Sequence, residues 1–378
     1  MLANMGGAMA LCFLVIAAHG ESQRAVSYLE SSAAVIGIYF AVVGIHYGLL
    51  RRYAKAGNLL PWIPFAFPIV FLVLVKYSSI LDGAIGNKTA AELFIGVSYM
   101  AFRLSYMTLE CRWGTVETPG FWDYMGFAFF LPTLSVGPIS TYRLHSESLA
   151  RAEPVQYTEA LLRILKGVVK YVFLSNMFNQ FSYGGLLLDG RPHSGIDLVV
   201  AAFAFYIYLY LNFSGYCDMA IGTAKLLGIR VAENFDNPFR ARNVKDFWNR
   251  WHITLSTYVR DVVFSPLSKA LTFRWGIKNT NHAVAVAILA VFVVVGIWHG
   301  VGVNYLVFGV LQGLGVIANH YYAIFLKRRL GKERFAAYSK NRAIEALAVC
   351  VTFTYTAASL FFFANDFRAA KRIVELIR

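Results

Sequence analysis

AVAVAILAVFVVVGIWHGVGVNYLVFGVLQGLGVIA, residues 283–318, is the stretch on which the fold turns. It is almost continuously apolar for about 36 residues, too long at 1.5 Å per residue for one ordinary bilayer span. The run therefore has to break, and Gly300, Gly302 and Asn304 mark the natural place. His299 stands immediately before them. An ionisable group inside an apolar run is a functional-site candidate by default. Apolar surroundings favour a neutral imidazole, the form that a general base needs. The plainer alternative is a histidine satisfied by a neighbouring carbonyl or seated at the membrane interface.

The same character extends outward through the chain. Segments near 2–19, 32–50, 59–75, 91–109, 121–137, 158–181, 195–224, 283–298, 302–326 and 343–364 are apolar. They predict about ten or eleven membrane passes or partial passes. Charged residues make up 15% of the chain against roughly 25% in soluble domains, which argues against a soluble fold. Segment 2–19 could pass for a signal peptide. It lacks a basic start and more spans follow, so a retained helix is expected.

The net charge of +14 is concentrated between the apolar runs. That placement fits the positive-inside rule and contact with anionic membrane lipids or an acidic partner, and it argues against nucleic acid. Arg51, Arg52 and Lys55, and later Lys327, Arg328, Arg329, Lys332 and Arg334, are expected in cytoplasmic loops. Arg163, Lys166 and Lys170 fall on one helix face, which predicts an amphipathic element lying partly in the interface. Cys12, Cys111, Cys217 and Cys350 show neither disulfide nor metal spacing. No separate soluble domain, low-complexity stretch or internal repeat is visible, so residues 1–378 read as a single integral membrane domain.

Residues 231–280 stand apart. Arg240, Arg242, Lys245, Arg250, Arg260, Lys269, Arg274 and Lys278 alternate with Phe235, Phe239, Phe247, Trp248, Trp251 and Tyr258. A cytoplasmic loop does not need so many large rings. A re-entrant element does, because its backbone must be covered by protein. An interfacial belt with snorkelling bases is the competing reading.

Among the other histidines, His145 and His193 fall in polar loops, and His19, His46, His282 and His320 lie near the ends of apolar runs. His252 follows Trp248-Asn249-Arg250-Trp251 and is the second candidate. Asp218, inside the apolar segment 195–224, could orient a histidine or a substrate hydroxyl, or bond between helices. There is no serine-nucleophile elbow and no His-Glu-x-x-His metal pair.

Several ordered motifs resemble the membrane-bound O-acyltransferase family. They are Glu233-Asn234-Phe235-Asp236-Asn237-Pro238-Phe239, Asp246-Phe247-Trp248-Asn249-Arg250-Trp251-His252, Arg260-Asp261 and Trp298-His299-Gly300. Upstream, Leu131-Pro132-Thr133 to Gly137-Pro138 and Ser214-Gly215-Tyr216-Cys217-Asp218 are similar as well. The likeness covers roughly residues 90–365. Gly96-Val97-Ser98-Tyr99 to Arg103 and the Trp251-His252 motif look like the branch that transfers D-alanine. Asp218 looks more like the alginate O-acetylase branch, whereas Pro266-Leu267-Ser268-Lys269 departs from it, so the acyl group stays open.

The resemblance implies an all-α polytopic protein of the bacterial cytoplasmic membrane, a ring of helices with re-entrant elements around a central tunnel. It implies an acyl thioester donor, on a phosphopantetheinyl acyl carrier protein or as an acetyl donor, and a hydroxyl acceptor on a cell-envelope polymer such as teichoic acid. A transferase partner outside the cytoplasm is implied too, and no tightly bound cofactor or metal. His299 is the expected general base and His252 its companion. Asn249, Arg250, Trp251, Asp218, Arg260, Asp261 and Trp298 are expected to bind substrate or support the site. The alternatives are an O-acetyltransferase for an exported polysaccharide, a transporter or flippase, and a non-catalytic scaffold for envelope assembly.

Overall fold

The computed structural model describes residues 22–54, 60–82, 96–151 and 154–377. The apolar segment 2–19, with Cys12 and His19, and also Lys55, lie outside the described residues.

The protein is an all-α polytopic membrane protein. Among the described residues, extended pairing is confined to two isolated bridges, His193 with Ile377 and Phe235 with Trp251. Four helices there are long and apolar enough to cross a bilayer: Gly195–Leu226, Ile277–His299, Val303–Lys340 and Arg342–Ala364. Large apolar side chains such as Val286, Leu314, Leu347 and Val351 stand on their outer faces, where lipid takes the place of a protein core. The apolar stretch 121–137 is not a single pass. Its helix, Phe121–Ala128, is only eight residues long, and a 3-10 turn containing Pro132 follows it.

Two compact units divide the chain. The first holds α1 (Ser22–Tyr53), α2 (Trp62–Asp82), α3 (Val97–Trp113), α4 (Phe121–Ala128) and α5 (Tyr142–Arg151). His46 of α1 ties three of these together. Its Nδ1 lies 2.8 Å from Tyr124 Oη and its Nε2 lies 3.2 Å from Thr108 Oγ1. His46 is fully buried and does not reach water, contrary to its place near the end of an apolar run. His145 is likewise not a loop residue. It sits buried on α5 against Phe127 and Phe130. Glu110 accepts the Tyr142 and Arg143 amides and so satisfies the start of α5. Gly96 opens α3 in the left-handed region, where a Cβ would collide with the Leu134 carbonyl.

The second unit begins with α6 (Tyr157–Val168), a π turn over Val169–Leu174, and α7 (Ser175–Asn179). α8 (Gly195–Leu226) starts at a capping box formed by Ser194 and Asp197. Then come α9 (Val244–Arg250), α10 (Ile253–Val259), α11 (Ser265–Trp275), α12 (Thr280–His299), α13 (Val303–Lys340), α14 (Arg342–Ala364) and α15 (Phe367–Leu376). The overlong apolar run does turn at Gly300–Gly302, between α12 and α13. Gly296 and Gly309 let these two helices touch, since a Cβ on Gly309 would strike the Phe292 carbonyl. The basic stretch after Lys327 is not a loop. It continues α13 as helix and breaks only at Gly331, which has φ 71°.

Of the three bases expected on one interfacial face, Arg163 and Lys170 turn inward while Lys166 stays exposed. Arg163 of α6 donates from Nε to Asp218 Oδ1 of α8 at 2.5 Å, and Lys170 donates to Asp218 Oδ2 at 2.7 Å. Arg163 also grips Glu233 with both terminal nitrogens. Leu161, Leu162, Leu165 and Phe173 point outward. Gly167 and Gly215 allow the close contact, because a Cβ on either would meet the opposing backbone.

Candidate active site

The stretch 231–280 folds into α9, α10, α11 and the short connections around them. A two-strand clip anchors it. The Asp236 amide donates to the Arg250 carbonyl at 2.9 Å, and the Ile253 amide donates to the Asn234 carbonyl at 3.0 Å. Arg250 braces the clip from outside, bonding Asp246 Oδ1 at 2.9 Å and Asp236 Oδ2 at 3.3 Å. The aromatic side chains do not form an interfacial belt. Phe239 and Phe247 pack edge to face with Tyr206 of α8 and Phe235 with Tyr210, Trp251 lies tilted against both tyrosines, and Phe239 reaches Phe353 of α14. Such pairs add roughly 0.5–1.5 kcal/mol each beyond burial.

The clip delivers His252. This residue links the extended Trp251 to the start of α10 and adopts φ 46°, ψ 51°, a left-handed conformation that few side chains tolerate. Its ring is buried, stands edge-on to Phe213 at 4.8 Å and lies 6.2 Å from the Trp298 ring. His299 arrives from the other side as the last residue of α12. Trp298 lies 4.5 Å from its ring, Phe363 of α14 4.9 Å and Phe308 of α13 6.0 Å.

Both imidazoles line one enclosed cavity of about 60 Å³, together with Trp248, Trp251, Gln312 and Phe363. Burial, and then the neighbouring His299, push His252 down to about 3, so its ring is neutral at ordinary pH. Its Nε2 is buried and accepts no hydrogen bond from the protein. A second cavity of about 260 Å³ shares Trp248 as a wall. Ile288, Val291 and Val295 give it an apolar lining, and Lys245, Asn249 and Arg260 supply polar groups. Trp248 is pinned between the two by its Nε1–H, which donates to Gln312 Oε1 at 2.9 Å, while Gln312 donates on to Ser359 Oγ.

The structure thus gathers His252, His299 and Trp251 around one cavity with Trp298 against both histidines, and places Asn249 and Arg260 on the adjoining one. Asp261 is joined to Arg260 at 2.9 Å. Arg250 faces away, into its ion pairs. Asp218 orients neither histidine. It serves the last of its three expected roles, bonding between α6 and α8. Asn234, Gln312 and Phe363 belong to the site and were not picked out from the sequence. Asn234 belongs to the Glu233–Phe239 motif, whereas Gln312 and Phe363 carry no local signal. Among the described residues no group of three or more His, Cys, Asp or Glu side chains is placed to hold a metal ion.

A pair of histidines on separate elements, lining one small and mostly apolar cavity beside a larger one, suits proton transfer between two bound substrates. The family model of the membrane-bound O-acyltransferases matches residues 53–362. The chain belongs to that family. It is therefore an O-acyltransferase of the cell membrane, a multi-pass protein. A teichoic acid D-alanyltransferase of Streptococcus thermophilus is 31% identical over 310 residues, 78% of this chain and 72% of that protein. The teichoic acid D-alanyltransferase of Bacillus subtilis is 28% identical over 72% of this chain and 69% of its own length. A protein of Pseudomonas syringae pv. tomato named a probable alginate O-acetylase is 31% identical over 60% of this chain and 42% of its own.

Proposed function

We propose that this acyltransferase passes a D-alanyl group from a carrier-protein thioester to a hydroxyl of a cell-envelope polymer, teichoic acid in the first instance. The observation that carries the reading is the cavity shared by His252 and His299 beside the larger one. The small cavity suits a short acyl group and not a fatty chain. The larger one offers an apolar path with Lys245 and Arg260, groups that suit the phosphate of a pantetheine arm. The basic 231–280 stretch suits an acidic carrier protein. The match spans more of the D-alanyltransferase relatives' own length, 72% and 69%, than of the acetylase's, 42%.

In the reaction the acceptor oxygen attacks the thioester carbonyl as His299 takes the hydroxyl proton. The tetrahedral adduct collapses, the C–S bond breaks, and the leaving sulfur takes the proton from the His299 imidazolium. The products are an oxygen ester and a free thiol. His252 Nε2 accepts a hydrogen bond from a substrate N–H or O–H. Proton transfer of this kind contributes typically 10²–10⁴ in rate, and holding both substrates in a closed cavity contributes more.

A second reading, O-acetylation of an exported polysaccharide, is supported by the alginate O-acetylase relative. Mild alkaline release of envelope esters followed by mass spectrometry separates the two, comparing wild type with His299→Ala. Alanine that disappears in the variant supports the first reading, and acetate that disappears supports the second. Esters that persist in His299→Ala, with the protein present, sink both and favour a transporter or scaffold.

A further inference from the structure

Asn234 is 1% exposed and makes four side-chain bonds. Its Oδ1 lies 3.2 Å from the Thr254 amide, 2.9 Å from Thr254 Oγ1 and 3.2 Å from His252 Nδ1. Its Nδ2 donates to Cys217 Sγ at 3.5 Å. The Thr254 amide can only donate, so the atom facing it must be the carbonyl oxygen of the Asn234 side chain. That fixes the amide's orientation without appeal to the histidine. The same oxygen faces His252 Nδ1, and two acceptors cannot share a hydrogen bond. Nδ1 must therefore carry the proton. In a neutral ring the lone pair then resides on Nε2, the buried nitrogen that the protein leaves without a partner on a ring lining the cavity.

We propose that Asn234 is a positioning residue that locks His252 in its Nδ1–H form and presents Nε2 to the cavity as an acceptor. The catalytic consequence rests on the acyl-transfer reading, whereas the protonation pattern does not. His252 in this form cannot donate to a developing oxyanion. It can only receive a proton or a hydrogen bond from substrate. The division between the two histidines is thereby set from behind one of them, by a residue that touches no substrate.

The test uses the full chain in lipid nanodiscs with ¹⁵N-labelled histidine. The His252 signals are assigned by their loss in His252→Gln. Wild type should show a protonated Nδ1 and an unprotonated Nε2. Thr254→Val, which keeps the His252 contact, should leave both signals in place. Asn234→Asp keeps every acceptor contact but adds charge, so the tautomer should persist and the ring should titrate at higher pH. Asn234→Leu removes the acceptor and should yield a protonated Nε2. With pantetheine thioesters of D-alanine and acetate as donors and glycerol as acceptor, the same variant should lose at least ten-fold in transfer. Loss of the acceptor behind a catalytic imidazole costs about 10⁴ in kcat where the wrong tautomer results. A protonated Nε2 in wild type, or an unchanged pattern in folded Asn234→Leu, overturns the proposal. Wild type that shows the expected signals but transfers neither acyl group would overturn the acyl-transfer reading and leave the tautomer assignment intact.

Discussion

The indole Nε1 of Trp248 donates to Gln312 Oε1 at 2.9 Å, and that bond holds in place a ring that faces both cavities. Trp248→Phe should keep the partition and lose only the bond, with transfer reduced modestly. Trp248→Ala should merge the two spaces and admit water, so that thioester is hydrolysed rather than transferred. The ratio of free acid to ester product measures this. An unchanged ratio in a folded Trp248→Ala protein would show that the ring separates nothing.

Replacement of His299 tests the chemistry itself. His299→Ala should lower transfer by about 10²–10⁴ while expression and the elution profile in detergent stay the same. His252→Ala should also impair transfer, and the double variant should fall short of the product of the two effects, since both rings serve one cavity. Fully additive losses would place them in independent steps.

Asp218 makes the opposite prediction. Its carboxylate neutralises Arg163 and Lys170 at a mostly buried helix contact. Breaking a buried pair by removing one partner costs about 3–5 kcal/mol. Asp218→Asn should therefore lower the melting temperature and the yield, yet the folded fraction should keep its specific activity. A stable but inactive variant would return Asp218 to the chemistry.

Acid should loosen the fold through His252. Its imidazole falls from the ordinary 6.5 to about 3 in the folded chain, chiefly by burial. The folded state thus binds fewer protons than the unfolded chain, and its stability is complete above about 6.5 and declines as pH falls toward 3. Thermal melts between pH 7.5 and 4 should show a decline that is shallower in His252→Gln. Parallel curves would mean that the ring is not buried as a neutral group.

Much of this arrangement is legible in the sequence. The break after His299 followed from length alone, because 36 apolar residues exceed one bilayer crossing. The aromatic wealth around His252 is compatible with either a covered re-entrant backbone or an interfacial belt, and in the structure the rings close over the Phe235–Trp251 clip. What escaped was anything that depends on how separate helices meet. Gln312 is one polar residue on an apolar helix until Trp248 arrives beside it. The charges at Arg163 and Lys170 have helical spacing whether they face headgroups or a carboxylate, and only Asp218 decides between the two. Asn234 looked like one letter of a motif because its task is performed across 18 residues, on a backbone turned back on itself.

The inward charges of Arg163 and Lys170 also bear on what this part of the chain can tolerate beside lipid. A helix that carries Arg163 and Lys170 is expensive to release alone into lipid, at roughly 2.5–3.5 kcal/mol for a basic residue near the middle of a span. The carboxylate that relieves it is synthesised later, on α8. The cost of holding these bases away from water therefore falls on the two elements jointly and not on either alone.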